Sequence, residues 1–280
     1  MSEGIVKISE DRLLAYRKAE IAELAEAIAL RFYNGSIIHP ELIAKEQGIT
    51  FSYNNYKDSF DGLLEHHSGR FHIYINLNRL RGENNPRIRY TFAHELGHYF
   101  IDEHRNALKS GKTPSHPSFN GLVAKNPVER EADYFASCLL MPEKLFRKQC
   151  FRRPLDPKLF EDLAKYFETS ISSVIFRYFE LNLFPMLIIK VINGLIDWKM
   201  PSKDFKYKYL PKKGAPVPPT TAAGEYFNIG KKYLEKQLLW PDDWFKDFNI
   251  SKDEQLFEKC YYLSETSVMS VIWKREKGMR

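Results

Sequence analysis

Thr91-Phe-Ala-His94-Glu95-Leu-Gly-His98-Tyr-Phe100 carries the pattern H-E-x-x-H inside a run of helical character. On an α-helix, residues four apart lie about 40° apart around the axis and one turn along it, so the imidazoles of His94 and His98 can reach a single ion. Glu95 stands beside them, within reach of a water on that ion. The pattern therefore supplies two neutral nitrogen ligands and a base, and it asks for a third ligand elsewhere. The bland alternative is a surface helix whose histidines bond to their neighbours.

Two residues compete for the third position. Glu129 opens Glu129-Arg-Glu-Ala-Asp-Tyr-Phe-Ala136 on a later helical segment. Glu129 and Asp133 share a face there, so Glu129 can bind the ion while Asp133 accepts the second N–H of a ligand histidine. Ala132 and Ala136 are small enough to let the two helices approach closely. Glu131 is rotated by about 200° from Glu129 and should point away. His104 is the rival, because His94 to His104 has the length of the metzincin pattern H-E-x-x-H-x-x-G-x-x-H. In that pattern the glycine lets the chain leave the helix, and here Ile101 occupies its place. If the helix simply continues, His104 lies about 15 Å along the axis from His94 and on another face. The residues favour Glu129.

His39, His66, His67, His72 and His116 have no ligand spacing with one another and read as loop or surface residues. His67 and His72 fall near the strand that precedes the metal helix. With Tyr90 and His104 they are the candidates for contacting a substrate or an oxyanion.

Outward from this centre, residues 10–33 read as one amphipathic helix stopped at Asn34-Gly35, and Pro40 opens a short second helix ending near Gly48. Strands are expected over 49–54, 62–66 and 70–77, with a turn at Ser68-Gly69. In the third strand Phe71, Ile73, Ile75 and Leu77 alternate with polar residues, and its edge is a candidate for pairing with an extended substrate. Helices follow over about 87–103, 127–140, 156–167 and 170–181, with a short one after Pro142. The 162–177 pair has the look of a helix-turn-helix, although its second helix offers one Arg (Arg177) and several apolar residues where a reader of bases needs polar groups. Past Pro185 the texture changes. Residues 186–199 form a hairpin around Asn193-Gly194, 212–221 a Pro-rich loop, and 256–263 with 267–274 two closing strands.

The class is thus α+β. A helical, zincin-like domain with a small antiparallel sheet spans 1–150, a helical HTH-like extension 151–185, and a second, smaller α+β domain 186–280. Three cysteines, odd in number and widely spaced, offer no metal-binding pair and suit a reducing compartment. Residues 1–12 lack the apolar core of a secretory signal, and the longest apolar run, 186–192, is too short to span a bilayer. A cytoplasmic location is expected, with no membrane partner. The net charge of +6 is concentrated after residue 185, where 17 Lys and Arg face 12 Asp and Glu. With no block of five like charges, this reads as a solvated surface more readily than as a nucleic-acid interface.

Taken together, the helix and small sheet, His94-Glu-Leu-Gly-His98, the Glu129-Arg-Glu-Ala-Asp-Tyr-Phe-Ala136 segment and Leu139-Leu-Met-Pro142 resemble the ImmA/IrrE family of zinc peptidases over about residues 10–182. That resemblance implies a regulatory protease that cleaves a repressor protein. It also implies one Zn²⁺ held by His94, His98 and Glu129, with Glu95 as general base. The substrate comes from the resemblance alone, and past Pro185 no family motif matches. The rival function is a DNA-binding or partner-binding regulator in which the metal is structural or the protease vestigial.

Overall fold

The computed structural model describes residues 15–35, 37–80, 85–111, 118, 126–207, 211–245 and 254–275. The first turn of the expected N-terminal helix, His116, and most of the 82–86 and 109–126 loops lie outside these residues. By its internal contacts the chain divides into two compact units, Met1–Pro154 with Leu159–Arg177, and Leu155–Lys158 with Tyr178–Arg280. The change of texture at Pro185 falls inside the second unit, and most of 151–185 belongs with the first.

In the first unit, α1 (Ala15–Phe32) buries Ile21, Ala25 and Ala29, spaced four apart on one face. A short α2 (Pro40–Glu46) begins on its proline. The sheet comprises β1 (Thr50–Asn54), β2 (Gly62–His67) and β3 (Arg70–Asn76) in the order β1-β3-β2. β2 and β3 form the expected hairpin, turning on Ser68 (φ 50°) and Gly69 (φ 77°), both in the left-handed region that a type I′ turn needs. β1 pairs parallel to β3. The sheet is therefore mixed, not antiparallel. β3 is its central strand, so the expected exposed edge over 70–77 does not exist: both sides of β3 are spent on β1 and β2.

Next come α3 (Pro86–Phe100) and α4 (Asp102–Lys109). Asn85 caps α3, its side chain accepting the Arg87 N–H at 3.0 Å. The expected single helix over 87–103 breaks at Ile101, which is extended (φ −73°, ψ 112°), and α4 restarts on Asp102 and Glu103. Acidic residues in a first turn suit the helix dipole. α5 (Pro127–Leu140) opens on a second Asn-Pro cap, where Asn126 accepts from Val128 N–H at 3.0 Å. α3 packs against α5 at very short range: a Cβ built on Gly97 would stand 3.1 Å from the Ala132 Cα. The small pair Gly97 and Ala132 is what lets the two backbones approach.

α6 (Glu143–Cys150), α7 (Pro157–Phe167) and α8 (Ile171–Glu180) follow. Arg177, the lone basic residue of α8, is 1% exposed. It donates to the Met141 carbonyl at 3.0 Å, the Cys138 Sγ at 3.2 Å and Glu26 at 3.0 Å. Val174 and Ile175 are fully buried. The α7–α8 pair has helix-turn-helix lengths, but its second helix turns Arg177, Val174 and Ile175 inward.

The second unit is a five-stranded antiparallel sheet of order β5-β4-β8-β7-β6. It is built from β4 (Met186–Ile192), β5 (Leu195–Pro201), β6 (Gln237–Leu239), β7 (Leu256–Ser264) and β8 (Ser267–Lys274). The β4–β5 hairpin turns on Asn193 (φ 49°) and Gly194 (φ 75°) as its sequence requires. Two helices complete the unit, α9 (Ala222–Ile229) and α10 (Pro241–Trp244). Leu187, Ile189, Val191, Val268 and Ile272 pack with Ala223, Tyr207 and Phe245 in its core.

Candidate metal centre

The centre is assembled by α3, α4 and α5. His94 and His98 lie one turn apart on the buried stretch of α3, and Glu129 comes from the first turn of α5, which the Gly97–Ala132 contact brings alongside. The His94 and His98 Nε2 atoms are 3.1 Å apart, His94 Nε2 is 3.1 Å from Glu129 Oε2, and His98 Nε2 is 3.5 Å from Glu129 Oε1. One donor atom from each of these three residues forms a group able to hold a metal ion. A tetrahedron with metal–ligand bonds of about 2.0–2.1 Å has edges of about 3.3–3.4 Å, close to the 3.1 Å between the two imidazole Nε2 atoms, with a Glu129 oxygen 3.1 Å from one of them and the other oxygen 3.5 Å from the second. The donor set of two imidazoles and one carboxylate is equally suitable.

Around these atoms lies a second layer of bonds. Asp133, one turn after Glu129 on α5, meets His94 Nδ1 at 2.9 Å. This orients the His94 ring, with Nδ1–H donated to the carboxylate and Nε2 facing the centre, where it would offer its lone pair to a bound ion. Burial pulls the His94 pKa down, but the bonds with Asp133 and Glu129 outweigh it and hold it well above 6.5. Tyr90 donates to the Asp133 carbonyl at 3.0 Å, tying α3 to α5 just before the site.

Glu95 is fully buried. Neither carboxylate oxygen makes a well-formed hydrogen bond among the described residues, although the Ser118 hydroxyl and the Leu64 backbone are near enough to favour its charged form. Burial pushes its pKa up to about 7, against the pull of the adjacent His94 imidazole. The start of β2 closes over it, since a Cβ on Gly62 would stand 2.5 Å from Glu95 Oε1 and from Thr91 Cγ2. A buried carboxylate with no well-formed hydrogen bond, beside three convergent donors, is the arrangement a water on a bound metal would satisfy.

His104 requires a correction. The bend at Ile101 needs no glycine, because its φ stays negative. α4 therefore folds back, and His104 sits against His98 with their Nδ1 atoms 3.2 Å apart instead of lying a helix length away. It still does not join the donor group. Its Nε2 faces Glu131 at 3.2 Å, and burial lowers its pKa. Asp102-Glu103 after a β-branched residue was the legible signal for this restart. His72 is held by Thr50 at 2.7 Å and Ser52 at 2.8 Å on β1, and His67 ends β2 opposite Arg70. Neither belongs to the donor group. One further residue at the site, Gly62, carries no motif that would have singled it out.

Residues 44–179 match the model of the IrrE N-terminal-like domain, Peptidase_M78. Metallopeptidase ImmA of Bacillus subtilis (strain 168) is 31% identical over 88 residues, which cover 31% of this chain and 46% of that protein. The match thus spans less than half the length of that relative. A solved structure described as a Mycobacterium tuberculosis transcriptional regulator superposes with a TM-score of 0.59 at 13% identity, covering 93% of this chain and 77% of that one. At that identity the likeness is one of fold. The matched domain holds both H-E-x-x-H and the Glu129 helix, so residues 44–179 form an IrrE N-terminal-like domain, similar in part to the metallopeptidase ImmA.

Proposed function

We propose that the chain is a zinc-dependent endopeptidase that cleaves a regulatory protein, a transcriptional repressor being the expected class, in the cytoplasm. The observation that carries this reading is the convergence of His94, His98 and Glu129, one donor atom from each within 4.8 Å of the others, with the fully buried Glu95 carboxylate next to His94 in the chain. His94, His98 and Glu129 are the ligands in this reading, and Asp133 positions His94. When bound, zinc would polarise the scissile carbonyl and make water a nucleophile near neutral pH.

The chain's own residues do the rest. Glu95 accepts the proton of the attacking water at its carboxylate and returns it to the leaving amine. Burial raises the proton affinity of this carboxyl in the metal-free chain, which suits a group that must take up a proton and then return it. A structural zinc site would have no use for a buried base at this position. That favours the peptidase over the regulator reading, and so does the inward-facing Arg177, which leaves α8 without its one basic contact for DNA.

The test is to mix the zinc-loaded protein with candidate repressors, with and without a chelator and beside Glu95→Gln. Cleavage only by the zinc-loaded, unsubstituted protein is expected. Stable binding of a repressor with no cleavage would favour the regulator.

A further inference from the structure

The α4 bend opens a route from the candidate ligand His98 to a residue more than eighty positions earlier in the chain. His98 Nδ1 lies 3.2 Å from His104 Nδ1, His104 Nε2 lies 3.2 Å from Glu131 Oε2, and Glu131 Oε2 lies 2.8 Å from Arg17. Arg17 also holds Glu103 at 2.9 Å and Glu20 at 2.8 Å. His98 and His104 are buried, while Glu131 and Arg17 are about one-sixth exposed at the side chain. This is a partly shielded hydrogen-bonded line across α3, α4, α5 and α1.

The proton positions along this line follow from chemistry. If His98 offers its Nε2 lone pair to a metal, its proton is on Nδ1, and that N–H faces His104 Nδ1 at 3.2 Å. His104 Nδ1 must then be the acceptor, which puts the His104 proton on Nε2. That N–H points at the Glu131 carboxylate, and Arg17 supplies the donors that hold this carboxylate in place. Each link has one consistent donor and one acceptor. Glu131, two residues from Glu129 on α5, points away from the three donor atoms and yet serves them from behind.

We propose that His104, Glu131 and Arg17 form a positioning relay for His98, the counterpart of Asp133 behind His94, and that α1 thereby helps set the affinity of the metal site. The proposal rests on His98 being a metal ligand. It assigns no part in the chemical step to the three residues. Partners of this kind, placed behind ligand histidines, change metal affinity by about 10–100-fold when lost.

The experiment measures zinc affinity by competition with a chromophoric chelator, and the visible spectrum of the cobalt-loaded protein, for the full chain and four variants. His104→Asn keeps an acceptor near the Nδ1 position, and Glu131→Gln keeps one for the His104 N–H. His104→Leu and Glu131→Ala remove them. Affinity close to wild type is expected for the first pair, with a loss of about 10–100-fold and an altered cobalt spectrum for the second. Equal affinity in all four, or an equal fall in both members of each pair, would overturn the relay, since loss of charge alone would move both members of a pair together and loss of packing alone would leave the cobalt spectrum unchanged. The Glu131 pair sits in a less buried place and keeps the test open should His104→Leu fail to fold. If the unsubstituted protein binds zinc and loses it on His98→Ala, the metal reading stands whatever the relay does; retention of zinc by His98→Ala would sink that reading itself.

Discussion

Glu95 shows what single residues contribute here. Its carboxyl is raised by burial to about 7, whereas in the unfolded chain it titrates near 4.5. Folded metal-free protein therefore holds a proton that the unfolded chain gives up, and its stability falls as pH rises from about 4.5 through 7. His94, raised well above 6.5, acts in the same direction: its contribution is full below 6.5 and is lost as pH climbs through its folded value. In chelated protein, thermal melts between pH 5 and pH 8 should show wild type losing stability relative to Glu95→Gln. The difference at the upper end is on the order of 2 kcal/mol. Parallel pH profiles for the two proteins would show that Glu95 does not carry this burial cost.

At the scale of elements, the approach of α3 and α5 decides whether three ligand atoms converge. Ala132→Leu places a branched side chain where the Gly97 backbone now lies, and a cost of about 1–3 kcal/mol in urea unfolding is expected from overpacking. Zinc affinity should fall with it, because Glu129 and Asp133 ride on the displaced helix; stability loss with unchanged affinity would contradict this. On α8, Arg177→Met removes three buried donors and should cost about 2 kcal/mol by the same measurement, the partial exposure of Glu26 moderating the loss. Much of this was legible in the sequence where local chemistry is explicit. The range of α5 followed from Asn126-Pro127 and from Pro142, and the two hairpin turns from Ser68-Gly69 and Asn193-Gly194. The sense of the β1–β3 pairing was not legible, since parallel and antiparallel partners impose the same alternation on β3. The break at Ile101 was missed because a β-branched residue can continue a helix as readily as end it, and His104 was misplaced with it.

For the whole molecule, the two units differ in how much their sequence discloses. In the first, paired motifs fix a donor group, and every residue of the centre and of the line behind it lies within 17–133. In the second, the three-residue β6 and the short α9 and α10 had to be seen in the structure, and no cluster of chemistry-bearing residues was legible there. None of the described helices is long and apolar enough to cross a membrane. Because the site draws on the first unit alone, a chain ending after Phe184 should bind zinc with the affinity of the full chain. A loss measured by the same chelator competition would show that the second unit takes part. The central claim is tested most directly by the metal content of zinc-loaded wild type, Glu95→Gln, His104→Ala and Glu129→Ala after removal of free ion. Wild type and Glu95→Gln should retain one zinc per chain and Glu129→Ala should lose it, with His104→Ala weakened but still able to bind; full zinc retention by Glu129→Ala would contradict the three-ligand centre.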